Sequence, residues 1–166
     1  MFGGKDMFTV RRLRFFNLVG LLKVSNILYD CGKDMAKNND LHHWNNSHIK
    51  NWIIVALCVL KNKIYIVCDD KKAVATFQTR KVGSSLLFQK LATSPASAKC
   101  GIGSYCMREI EELALSSGCA EVLCEVYEKS EHAISFYEHR GYRVYDETET
   151  LKYKEYKMRK ALKDEV

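Results

Sequence analysis

Proline is almost missing from this chain, with Pro95 alone among 166 residues, and glycine is sparse at nine. A flexible linker or low-complexity segment therefore has nowhere to lie, and no internal repeat is visible. The seven cysteines, Cys31, Cys58, Cys68, Cys100, Cys106, Cys119 and Cys124, contain no C-x-x-C pair, which removes the usual zinc and redox spacings. An odd number of thiols, several at apolar positions and with no secretory signal ahead of them, reads as free cysteine in a reducing cytoplasm. Long hydrophobic runs are lacking too. The longest, Trp52 to Leu60, is about half the roughly 20 residues of a membrane-spanning helix, so a soluble protein without a membrane partner is expected. Arg11, Arg12 and Arg14 form the only dense basic cluster. With no interleaved basic and aromatic stripe, they read as a solvated face and no nucleic-acid partner is expected.

What is there fits one ordinary globular domain over residues 1–166. Hydrophobic residues make up 47% and charged residues 28%, enough to bury a core without staples. The net charge of +6 suits anionic partners in general. Met1 to Asp6 has no pattern and reads as a loose leader. Phe8 to Leu13 reads as a strand. From Phe16 to Asn38 apolar residues recur at helical spacing, with Gly20 and Gly32 weakening the helix. A second helix takes Ile49, Trp52, Ile53, Ala56, Leu57 and Leu60 on one face, with Ser47 as cap and Lys61-Asn62-Lys63 as stop. Strands at Ile64–Cys68, Ala73–Lys81 and Leu86–Thr93 form a meander. A helix from Ile102 to Ala114 stopped by Gly118, a strand at Val122–Tyr127, a helix at Ser130–Arg140 stopped by Gly141, and strands at Tyr142–Glu147 and Tyr153–Arg159 complete the order. Helices alternate with strands only in the second half, which indicates a mixed α/β sheet.

Two segments stand out chemically. Leu91-Ala92-Thr93-Ser94-Pro95 leads to Lys99-Cys100-Gly101-Ile102-Gly103-Ser104 at a helix start. Two glycines one residue apart let a ligand approach the backbone, and the first-turn amides of a helix attract phosphate. A tight strand-to-helix turn would need the same glycines. The pattern is neither a Rossmann fingerprint nor a P-loop. About thirty residues on, Ser130-Glu131-His132-Ala133-Ile134-Ser135-Phe136-Tyr137 opens with a capping serine and runs to Gly141-Tyr142. Periodicity alone would make Phe136 and Tyr137 core aromatics.

Together, in this order, the two segments resemble the acetyl-CoA motifs of the GNAT superfamily. Its pyrophosphate motif, Arg/Gln-x-x-Gly-x-Gly/Ala, falls on Ala98 to Gly103. Its later motif, Asn-x-x-Ala-x-x-Phe-Tyr-x-x-x-Gly-Phe/Tyr, falls on Ser130, Ala133, Phe136, Tyr137, Gly141 and Tyr142. Ala98 replaces the usual arginine or glutamine, with Lys99 next door as a substitute charge, and Ser130 replaces asparagine. The resemblance covers Phe8 to about Arg159. It implies the GNAT fold, a mixed, mostly antiparallel sheet of six to seven strands with about four helices. It also implies an acyltransferase that moves acetyl from acetyl-CoA, its co-substrate, to a primary amine in a ternary complex. Leu91, Ala92 and Thr93 would pair with the pantetheine arm, Lys99 to Ser104 would hold the pyrophosphate, and Ser130, Ala133 and Phe136 would line the cofactor. Tyr137 would protonate the leaving sulfur. Glu125 is the nearest candidate base, since the strand Leu86–Thr93 lacks a carboxylate; a structural carboxylate is the equal alternative. His43 and Trp44 are candidate acceptor contacts. His42, His43 and His48 are poorly spaced for metal, and no metal site is expected. Pairing of two copies through the C-terminal strands is a common option in the family, so a homodimer is one implied partner. A non-catalytic acyl-CoA binder is the rival reading, against which the retained Tyr137 argues.

Overall fold

The computed structural model describes residues 8–97, 100–149 and 152–162. Seven strands and four helices follow one another as β1 (Phe8–Leu13), α1 (Leu18–Asn39), α2 (His48–Lys61), β2 (Lys63–Asp69), β3 (Lys72–Val82), β4 (Ser85–Thr93), α3 (Ile102–Ser116), β5 (Glu121–Tyr127), α4 (Glu131–Glu138), β6 (Arg143–Glu149) and β7 (Lys154–Ala161), with a 3-10 turn at Pro95–Ser97. This is the element order expected from the sequence. The strands make one sheet in the order β1-β2-β3-β4-β5-β7-β6. β4 and β5 run parallel; the β1–β2, β2–β3, β5–β7 and β6–β7 pairs are antiparallel. The last strand thus inserts between β5 and β6. The expected leader, Met1 to Asp6, lies outside the described residues.

The chain gathers into two compact units. One holds the chain to Thr79 together with Lys90–Glu109; the other holds Arg80–Gln89 and the chain from Ile110 onward. In the first, α1 lies on one face of β1 and β2. Leu21, Val24, Ile27 and Leu28 meet Leu13, Ile64, Ile66 and Cys68, joined by Val55 of α2 and Ala92 of β4. Val24 and Val55 are wholly buried, and each such side chain contributes about 1.5–3 kcal/mol. The residues of opposite parity face the other side. There Phe8 packs on Tyr105 of α3, centroids 5.4 Å apart, and Tyr65 stacks on Phe77 at 4.9 Å.

Caps explain where α1 begins. Asn17 Oδ1 accepts from the Gly20 amide at 2.9 Å, so the helix starts at Leu18 rather than at the expected Phe16. Gly20 and Gly32 have a packing role. A Cβ on Gly32 would stand 2.2 Å from the Trp44 carbonyl oxygen, and one on Gly20 2.8 Å from Leu13 Cδ2. Bare backbone lets the segment between α1 and α2 lie directly on the helix. Ser47 Oγ accepts from the Lys50 amide at 3.2 Å, the cap expected for α2.

In the second unit, alternate residues of β5 and β7 face α3 and α4: Val122, Cys124, Val126 and Met158 are buried. Phe88, Tyr137 and Tyr142 form an aromatic cluster over them, with centroids 5.5 to 6.2 Å apart. Gly118 and Gly141 take left-handed φ of +69° and +87°, as their place after α3 and α4 requires.

Candidate functional site

The first set of candidate residues starts at the far end of β4. The parallel ladder to β5 covers Ser85↔Glu121 through Phe88↔Cys124; among the described residues it stops there, although β4 continues to Thr93. Two residues on, Lys90 adopts φ +50°. A non-glycine residue in this region marks a local distortion of the strand. Past it, Ala92 turns its side chain into the α1 core, while the flanking Leu91 and Thr93 are half-buried. Only the backbone of Ala92 is therefore available to a ligand. A Thr93 backbone group bonds the Cys31 thiol, which burial pushes up to about 11. The Ser94 amide donates to the Val74 carbonyl at 2.8 Å, anchoring the exit from the strand.

The loop then reaches α3. Cys100 is exposed, Gly101 has φ +77°, and the Gly101 carbonyl accepts the first helical bond from the Tyr105 amide at 3.0 Å. Among the described residues no atom would crowd a Cβ at Gly101. Glycine is needed there for its conformation alone. Ile102 is buried, Gly103 half-buried and Ser104 exposed. Their amides form the first turn, which lacks intrahelical acceptors and bears the positive end of the helix dipole. Lys99 and Ala98 lie outside the described residues.

His43 and Trp44 belong to the same unit as this loop. Their rings are 5.9 Å apart, and the Lys90 ammonium stands 5.8 Å from the Trp44 ring centre. Burial first, and the Lys90 charge second, lower the His43 pKa below its ordinary value. The structure thus brings the two candidate acceptor residues to the distortion in β4, and it adds Lys90, which the sequence reading missed. The clue was present: Gln89 and Lys90 are consecutive polar residues that interrupt the apolar run of Leu86 to Ala92.

The second set lies in the other unit. Tyr137 is 8% exposed, enclosed by Phe88, Phe136 and Tyr142 at 5.5, 5.4 and 5.8 Å. Phe136 is half-buried under the Arg140 guanidinium, 4.9 Å from its ring, and Ala133 is half-buried beside it. Ser130 departs from expectation. It occupies the cap position but makes no side-chain capping bond. With φ −83° and ψ 61° its backbone, through the carbonyl oxygen, accepts from the Ala133 and Ile134 amides at 2.9 and 3.0 Å. Asn17 caps α1 from nearly the same backbone, φ −82° and ψ 71°, with an oxygen one bond further from Cα; the shorter serine side chain makes no such bond. Tyr142 is wholly buried and donates to Glu111 Oε1 at 3.4 Å, while Lys160 Nζ donates to both Glu111 oxygens at 2.9 Å. Burial, then the Glu111 charge, raise the Tyr142 pKa far above the ordinary phenol. That makes Tyr142 a fixed donor within the core.

Glu125 is exposed and accepts from Gln89 Nε2 at 3.1 Å. It lies on the sheet face opposite Cys124 and pairs in register with Lys157. Cys124 is buried and its thiol is pushed up, by desolvation above all. Among the described residues no cluster of three or more His, Cys, Asp or Glu could hold a metal ion.

Known proteins resemble this chain in sequence pattern and in fold. A sequence model described as Acetyltransferase (GNAT) family matches residues 27–142. No curated protein matches the chain. Among solved structures, the ribosomal-protein-S18-alanine N-acetyltransferase from Escherichia coli is 15% identical, covering 96% of this chain and 99% of its own, with a TM-score of 0.69. Aminoglycoside 6'-acetyltransferase type Ii is 14% identical, covering 95% and 99%, with a TM-score of 0.72. A PaiA N-acetyltransferase from Thermoplasma acidophilum, solved with coenzyme A, is 17% identical, covering 93% and 98%, with a TM-score of 0.68. At these identities the likeness is one of fold.

Proposed function

Because the chain belongs to the acetyltransferase (GNAT) family, we propose that it transfers an acetyl group from acetyl-CoA to a primary amine by direct attack in a ternary complex. The observation that carries this reading is the left-handed Gly101 at the start of α3, ahead of amides that have no helical acceptor. Four dispersed negative oxygens of a diphosphate match such a row of N–H donors. Cys100 to Ser104 hold the diphosphate, with Lys99 as the neighbouring charge. The backbone of Leu91 to Thr93, past the end of the β4–β5 ladder, pairs with the amide groups of the pantetheine arm as an added strand would. Ser130, Ala133 and Phe136 line the cofactor.

The chemistry then needs three proton-sensitive events. The amine nitrogen attacks as the neutral base and forms the C–N bond as the C–S bond breaks. Tyr137 gives its phenolic proton to the departing sulfur as a general acid. The proton lost by the amine passes through water to Glu125, the carboxylate that Gln89 orients. His43 and Trp44 contact the acceptor. Neighbours of the same fold are named for a protein alanine and for aminoglycosides, and the acceptor of this chain is an amine of either kind. The chain acts in the cytoplasm, where its seven free thiols stay reduced. It folds as one domain, and β6, at one edge of the sheet, is the strand a second copy would extend.

Thiol release from acetyl-CoA across a panel of amines is the test. Turnover with at least one amine is expected, and Tyr137→Phe should lower kcat by about 100-fold or more with acetyl-CoA affinity unchanged. Cofactor binding without thiol release for any amine would favour the non-catalytic acyl-CoA binder.

A further inference from the structure

Most exposed large hydrophobic residues of the first unit are concentrated in one region. On α2, Ile49, Ile53, Leu57 and Leu60 are 73%, 51%, 60% and 76% exposed. Their i, i+4, i+8, i+11 spacing makes a single outward stripe about 80° wide at 100° per residue. The approach to α1 adds Phe15, Phe16, Leu18, Val19 and Leu22, all above half exposed. The two groups adjoin. Phe15 and Phe16 share a shallow hollow of about 530 Å³ with Val59 and Asn62 at the end of α2, and Arg12 and Arg14 complete its wall. Isolated exposed apolar residues are ordinary; nine together form a surface that needs a partner.

The charged side chains within the two stretches of chain that supply these residues have one sign. No Asp or Glu occurs from Met7 to Tyr29, nor from Leu41 to Cys68. Arg11, Arg12, Arg14, Lys50, Lys61 and Lys63 in these stretches are exposed. An apolar helix face with cations beside it in sequence has the composition of an interfacial helix.

We propose that α2 and the start of α1 dock this protein on an anionic lipid bilayer, with the stripe sunk into the headgroup boundary and the arginines and lysines on lipid phosphates. Three physical arguments select this occupant. A two-fold interface between copies would set these cations against one another. The stripe is convex, and a fluid bilayer conforms to a convex surface without a preformed groove. Spanning is excluded by length: the 14 residues of α2 reach about 21 Å against a hydrocarbon core of about 30 Å. Among the described residues no helix is long and apolar enough to cross a membrane. The reading stands apart from acyl transfer and uses none of the residues assigned to it.

Co-sedimentation of the full chain with vesicles of phosphatidylcholine alone, and of phosphatidylcholine with phosphatidylglycerol, tests the proposal. The protein should pellet with the anionic vesicles and not with the neutral ones, less as salt rises. Ile53→Glu with Leu57→Glu should abolish pelleting while circular dichroism and the melting temperature stay as in the parent, because both positions are exposed. Arg12→Glu with Arg14→Glu should weaken it by about tenfold or more. Equal pelleting with both vesicle types, or none with either, overturns the proposal. In the latter case light scattering identifies the occupant: a dimer made monomeric by the double glutamate variant means a second copy, and a monomer means a protein partner.

Discussion

Helices α1 and α2 make an instructive pair. Both show apolar residues at helical spacing, and both have polar residues at the ends. In α1 the stripe from Leu21 to Leu28 is buried against β1 and β2. In α2 the stripe Ile49, Ile53, Leu57 and Leu60 faces outward, and the helix attaches through Asn51 and Val55 instead. Periodicity reports that a stripe exists but not what it faces. The geometry between the helices decides that. Gly32 admits the Trp44 backbone onto α1, which fixes how the chain enters α2.

That difference can be broken or sharpened by substitution. The largest effect is expected at Gly32→Ala, whose Cβ must displace a backbone carbonyl; chemical denaturation should show a loss of about 3 kcal/mol. Gly20→Ala should cost far less, since the flexible Leu13 side chain can yield and alanine favours the helix by about 1 kcal/mol. Next, Val55→Ala should destabilise by about 2 kcal/mol, whereas Leu57→Ala, two residues along the same helix, should stay within about 0.5 kcal/mol. Equal losses at the two positions would mean that the stripe is covered. The smallest effect concerns the connecting segment. His43 has a lowered pKa in the folded chain, so the folded state favours the neutral ring and the unfolded state binds more protons below pH 6.5, the ordinary value. Its contribution to stability is thus present above that pH and is lost as pH falls through the folded value. His43→Gln should flatten the slope of melting temperature against pH on the acid side of 6.5.

The order of elements was legible because each is set locally. Ser47 caps α2, Gly118 and Gly141 end α3 and α4, and short β-rich runs bounded by turns mark the strands. The site was legible in part. Gly101 and Tyr137 were visible as motif residues, and the left-handed φ at Gly101 agrees with the demand for glycine. What was hidden depends on contacts distant in sequence. Lys90 over Trp44 and Gln89 beside Glu125 are pairs separated by 46 and 36 residues, which no window detects. Ser130 has the right residue type for a cap, yet its short side chain makes no capping bond, where Asn17 does so from nearly the same backbone. The insertion of β7 between β5 and β6 likewise follows from side-chain burial along whole strands: Met158 faces Cys124 in the core.

Calorimetric titration with acetyl-CoA tests the central claim, that the amides at the start of α3 hold the coenzyme's diphosphate. The account predicts saturable one-to-one binding to the parent chain and a loss of at least about tenfold in affinity for Gly101→Val, which cannot take the left-handed φ without strain. Absence of binding to the parent, or unchanged affinity in a folded Gly101→Val variant, would contradict it.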